Sequence, residues 1–130
     1  VLDALVRMKA LAIQMAESLG AGDLDALGEL VGEHWRYQRS LHPAITTPLI
    51  EELVERAGRA GALGCKPLGA SGGGCLLVVA RAGRESEVRN ALSPLGELLS
   101  YEVDDEGFTV IHDGPVAELP DAVRHAGDGR

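Results

Sequence analysis

Four of the six residues from 69 to 74 are glycine, and this segment opens directly onto an unbroken apolar run, Cys75-Leu-Leu-Val-Val-Ala80. Glycine loses more backbone freedom on folding than any other residue. A dense run of it is expected where φ must be positive or where another group approaches the main chain closely. Successive N–H groups in such a turn can form a concavity that receives an anion or a second loop. The apolar run has the character of a strand covered on both faces. The order, glycines and then strand, excludes two familiar phosphate motifs. A dinucleotide fingerprint requires a helix after its glycines, and a P-loop ends in Gly-Lys-Ser/Thr, whereas here Cys75 follows Gly74. Two readings remain: a tight connection between adjacent strands, or a functional surface lined by bare backbone.

Upstream the pattern is helical. Leu2, Leu5, Met8, Ala12, Met15 and Leu19 recur at steps of three and four, one face of an amphipathic helix that Gly20 and Gly22 stop. Asp23 is an N-cap candidate for a second helix, in which Leu24, Leu27, Val31, His34, Gln38 and Leu41 keep the same spacing. That stripe starts apolar and turns polar at His34 and Gln38, and Pro43 ends the segment. A third helix is predicted from Thr47 as cap and Pro48 at the first position. Glu51 and Glu52 lie in its first turn, Ile50, Leu53, Val54 and Ala57 on its inner face, and Gly61 at its end.

Beyond Gly61 the period changes. Residues 63–68 read as a short extended segment, 75–80 as a strand, 84–92 as a short helix limited by Pro94, and 98–103 and 108–112 as two more strands. The acidic stretch 104–107 forms the turn between the last two, and residues 113–130 read as a frayed polar tail. Three helices followed by strands and one short helix make an α+β layout. The sheet is expected to be largely antiparallel, with helices packed on one face.

At 130 residues the chain is about one domain, and 45% hydrophobic content supplies a core. Twenty acidic against twelve basic residues give a net charge of -8. A surface of that sign argues against a nucleic-acid or anionic-membrane binder. No apolar run is long enough to span a bilayer, and no leader pattern follows Val1. These features lead to the expectation of a cytoplasmic chain that is a piece of something longer. Cys65 and Cys75 match no zinc or disulfide pattern and read as small buried hydrophobes, Trp35 reads as a packing residue, and no metal site is expected.

The stretch Gly61-Ala-Leu-Gly-Cys-Lys-Pro-Leu-Gly-Ala-Ser-Gly-Gly-Gly-Cys75 resembles the third conserved motif of the GHMP kinases. Upstream, Glu33-His34-Trp35-Arg36, Arg39-Ser40-Leu41, Pro43, Ile45-Thr46 and Pro48 resemble the branch of that family containing D-glycero-D-manno-heptose 7-phosphate kinases and L-fucokinases. The resemblance covers residues 2–112. Cys65 and Ser71 stand where that branch usually has Gly, Pro67 where it has Leu, and Gln38 where Lys is common. Pro67 removes a ladder donor, which places its strand at an edge or at a bulge.

The resemblance implies a GHMP C-terminal, ferredoxin-like domain at 1–112, with the tail at 113–130. It further implies the C-terminal part of an ATP-dependent kinase acting on a sugar or sugar phosphate. ATP and Mg2+ would serve the whole enzyme, with the family's N-terminal ATP-binding domain as partner. That domain carries the family's Pro-X-X-X-Gly-Leu-Gly-Ser-Ser phosphate loop, a sequence that does not occur in these residues. No catalytic residue is therefore expected in the 130 residues, which alone should be inactive. Gly69, Ala70, Ser71, Gly72, Gly73 and Gly74 would form the nucleotide-phosphate loop, with His34, Gln38 and Lys66 as substrate-cleft candidates. The competing reading of the chain is a stand-alone, non-catalytic ferredoxin-like binding or regulatory module; independently of that, His34 and Gln38 also read as polar residues of a partly solvated helix end, and Lys66 as a solvent-facing strand lysine.

Overall fold

The computed structural model describes residues 1–69, 74–103 and 106–107. Two helices come first along the chain: α1, Leu2–Ala21, and α2, Leu24–Ser40. Between them Gly22 takes a left-handed φ of 73°, and the amides of Gly22 and Asp23 bond back to the carbonyls of Leu19 and Ser18 at 3.1 and 2.9 Å. The Asp23 carboxylate then accepts from the Ala26 amide at 3.0 Å and caps α2. A 3-10 turn, Pro43–Ile45, leads to α3, Pro48–Ala60. There the Thr47 hydroxyl accepts from the Ile50 amide at 3.2 Å, and Gly61, at φ 109°, closes the helix. Glu51 accepts from Thr46 at 2.7 Å and from Arg39 at 3.0 Å, which ties the first turn of α3 to the end of α2.

The sheet of the described residues is one antiparallel hairpin, β1, Ala62–Pro67, paired with β2, Leu76–Ala80. A bulge falls between Ala62 and Gly64, and Pro67 pairs with Leu76 at the turn end. The ladder there continues through the Leu68 amide, which bonds to the Cys75 carbonyl at 2.8 Å. Helix α4, Glu85–Leu92, follows. Cys65 packs with Ala57 of α3 and Val88 and Leu92 of α4, and Leu76, Val78 and Ala80 close over that cluster. The neighbouring residues of the strands turn the other way: Leu63, Gly64 and Val79 meet Gly28 or Gly32 of α2.

The α+β class and the antiparallel pairing are therefore as expected. The expectation of helices on one face is refined, because α2 covers one side of this hairpin and α3 with α4 the other. The reason is visible in β2, whose apolar residues have no polar side to turn to water.

Two expectations are corrected. The inward face of α1 is Ala4, Met8, Leu11, Met15 and Ser18, whereas Leu2, Leu5 and Leu19 are exposed. That helix carries apolar residues on more than one side, with Leu2, Val6 and Ile13 exposed, so spacing alone did not single out the inward face; packing against α2 did. Residues 98–103 join no ladder, and Leu98, Leu99, Tyr101 and Val103 are exposed. An extended segment becomes a strand only against a partner, and its expected partner, 108–112, lies outside the described residues. Turn residues Asp104 and Asp105 and the tail 113–130 also lie outside them. Val1–Leu99 form one compact unit.

Candidate functional site

Glycine in the middle of a helix costs about 1 kcal/mol relative to alanine, so Gly28 and Gly32, one turn apart in α2, call for a reason. They are where β1 crosses. A Cβ on Gly64 would overlap the Gly28 carbonyl and lie 2.6 Å from the Gly32 amide nitrogen, and one on Gly28 would lie 2.6 Å from the Leu63 Cβ. The bare backbones let α2 lie directly on β1. From this crossing the two elements advance together, Gly28 beside Leu63 and Gly64, then His34 beside Lys66. They therefore run in the same direction, and the C-terminal end of α2 lies at the glycine-turn end of the hairpin.

His34 and Lys66 meet at that end. Lys66 Nζ lies 3.3 Å from His34 Nδ1, across 32 residues of sequence. A lysine ammonium only donates, so Nδ1 accepts and the ring proton resides on Nε2. Burial, and then the Lys66 charge, hold the His34 imidazole below its ordinary value of 6.5, and burial pushes the Lys66 ammonium below 10.5. Gln38 follows His34 by one helical turn on the same face. Its Oε1 is buried without a partner, as is Nε1 of Trp35, whose side chain is 2% exposed.

Gly69 and Gly74 border the turn with left-handed φ values of 82° and 96°. A Cβ on Gly69 would meet nothing within 4 Å, and one on Gly74 only the Leu68 carbonyl at 3.6 Å. Backbone conformation, not crowding, is what glycine supplies at these two positions. Ala70, Ser71, Gly72 and Gly73 lie outside the described residues. On the opposite face the start of α3, with Thr47, Leu49, Ile50 and Leu53, borders Pro67, Gly74 and Cys75 in a notch of about 90 Å³.

Of the expected site residues, His34 and Lys66 thus come together, Gln38 lies one turn along the same helix face, and Gly69 and Gly74 border the turn. Sequence reasoning assigned Trp35 to packing, which its burial supports, but gave no sign of its orphaned N–H; periodicity carries no such signal. The Gly28–Gly64 crossing was also missed, although the paired helix glycines could have indicated it. Cys65 is buried as expected, whereas Cys75 is exposed where it precedes β2 at the turn. Among the described residues no three His, Cys, Asp or Glu side chains converge as a metal site would need. No described helix is long and apolar enough to cross a membrane.

Comparison with known proteins matches residues 15–97 to the family described as GHMP kinases C terminal. L-fucokinase/L-fucose-1-P guanylyltransferase of Bacteroides fragilis is 31% identical over 115 residues, 84% of this chain and 12% of that protein. Mevalonate kinase of Thermococcus onnurineus is 39% identical over 67 residues, 51% of this chain and 20% of that protein. The crystal structure of L. major mevalonate kinase in complex with R-mevalonate superimposes with a TM-score of 0.57 at 26% identity, covering 65% of this chain and 26% of that one. The chain thus spans an eighth to a quarter of the length of these relatives.

Proposed function

The chain belongs to the GHMP kinase family, as its C-terminal domain, and from that premise we propose that it forms the C-terminal part of an ATP-dependent sugar or sugar-phosphate kinase. The acceptor is a heptose 7-phosphate or a fucose-like sugar. The longer of the two sequence matches, with a protein named as an L-fucokinase, supports a sugar over other alcohols. In this reading the glycine turn braces the ATP phosphate loop, which an N-terminal domain of the same protein supplies, and lines the cleft between the two.

The single observation that carries the reading is convergence at one end of the hairpin. His34 and Lys66 lie 3.3 Å apart there, beside a turn bordered by two left-handed glycines. Gln38 adds an amide one turn further along α2. Lys66 supplies charge, His34 and Gln38 supply hydrogen-bonding groups toward the acceptor, and Gly72, Gly73 and Gly74, which have no side chains, supply main-chain N–H groups. ATP supplies the phosphoryl group. In this reading the ligands of the magnesium ion come from the N-terminal domain.

The test is Gly73→Val in the full-length protein. Valine brings a branched side chain into the turn and is expected to disturb the fit of the brace. Misplacement of a reacting group by about an ångström costs turnover up to about a hundredfold, while the melting temperature stays within a few degrees. A variant that folds normally and keeps the wild-type kcat reduces the turn to a connection between strands.

A further inference from the structure

We propose that Lys66 and His34 together form a receptor for the phosphate ester of a ligand. The proposal rests on the cleft reading above only for its choice of phosphate among anions; the rest comes from the pair itself.

Lys66 is half-buried, and His34 is its sole polar partner among the described residues. The ion pairs of the described residues all use arginine: Arg39 with Glu51, Arg56 with Glu52, Arg59 with Glu55 and Arg84 with Glu87. In a chain with twenty acids against twelve bases, a half-buried lysine with no carboxylate beside it among the described residues is the exception. Burying a charge is costly unless a counter-charge meets it.

Donor chemistry then narrows the counter-group. His34 Nδ1 is taken by Lys66, so the ring offers only Nε2–H, which has no hydrogen-bond partner among the described residues. Lys66 keeps two further N–H donors. The pair presents donors and positive charge, and no acceptor. A hydroxyl both donates and accepts, so it would leave its own proton unpartnered here and the lysine charge unneutralised. A metal cation would be repelled. A phosphate ester accepts through several oxygens and carries the missing negative charge. Such an ester belongs either to a phosphorylated acceptor sugar or to the nucleotide.

The experiment follows the His34 ring by NMR in the full-length protein during titration with inorganic phosphate, with acetate at matched ionic strength as control. The expected result is a saturable shift of the His34 resonances and a rise in its pKa with phosphate, both weaker with acetate. Lys66→Met should abolish the response, and Lys66→Arg, which keeps the charge, should retain it. No saturable shift, an equal response to acetate, or an undiminished response in a folded Lys66→Met protein overturns the proposal.

Kinetics separate the two sources. Lys66→Met raises KM about tenfold or more for a phosphorylated acceptor alone if the acceptor carries the ester, and for ATP if the nucleotide does. A change in neither KM overturns the proposal while leaving kinase activity in place. Conversely, a phosphate response in a protein that transfers no phosphoryl group removes the kinase reading and leaves the receptor standing.

Discussion

His34 and Cys65 each contribute a pH-dependent share of the fold's stability, at opposite ends of the pH range. Burial and Lys66 lower the His34 pKa in the folded chain, so the unfolded chain binds the proton first. The stability that a neutral His34 contributes is present above 6.5 and is lost as pH falls below that value. Burial raises the Cys65 thiol from 9.0 to about 11, so its contribution is intact below 9.0 and is lost as pH rises toward 11. Melting temperature measured against pH should therefore fall on both flanks. His34→Gln should flatten the acid flank, and Lys66→Met should flatten it in part, because it removes the charge and leaves the burial. Cys65→Ala should remove the thiol's share of the alkaline flank. An acid flank unchanged in His34→Gln would show that other groups set it. The residue types were legible in the sequence, and so was the polar turn of the α2 stripe at His34 and Gln38. The meeting of His34 with Lys66 was not, because spacing reports neighbours within one element and these two lie 32 residues apart on different elements.

Helix ends were legible because their chemistry is local. Asp23, Thr47, Pro48, Gly22 and Gly61 each act within four residues of themselves, and each caps or closes the helix its position indicated. Thr47→Ala should cost about 1 kcal/mol in urea unfolding, as the loss of a hydroxyl cap does. The crossing of α2 on β1 is a different kind of feature, since it joins two elements and no periodicity reports it. Gly64→Ala places a methyl group on the Gly28 carbonyl, and the backbones must separate. We expect a loss of about 1–3 kcal/mol, the range for overpacking, together with a rise in the His34 pKa as Lys66 moves away. Gly32→Ala, whose Cβ would sit 3.4 Å from the Gly64 Cα, should be milder. Equal stability of Gly64→Ala and wild type would mean that the crossing has slack. The inward face of α1 and the expected strand at 98–103 failed for the same physical reason. An apolar helix and an extended segment both take their final arrangement from what packs or pairs with them.

At the scale of the molecule, the order of elements and the family were legible from two motifs in the right order, Glu33-His34-Trp35 and the glycine turn. The division of helices between the two sides of the hairpin was not, although the uniformly apolar β2 implied cover on both. The outer side of α1 is apolar as well, with Leu2 77%, Val6 59% and Ile13 55% exposed. Apolar surface of this kind binds hydrophobic dyes or drives self-association. The 130 residues should therefore bind such a dye, and Val6→Lys with Ile13→Lys should reduce the binding without lowering the melting temperature. Dye binding unchanged in that double variant would place the apolar surface elsewhere. The most direct measurement is ATP-dependent phosphoryl transfer to sugars and sugar phosphates, followed as ADP release, in the full-length protein and in these 130 residues alone, with circular dichroism confirming that both are folded. The expected result is turnover by the full-length protein and none by the 130 residues. Turnover by the 130 residues alone, or none by the full-length protein with any such acceptor, would contradict the assignment.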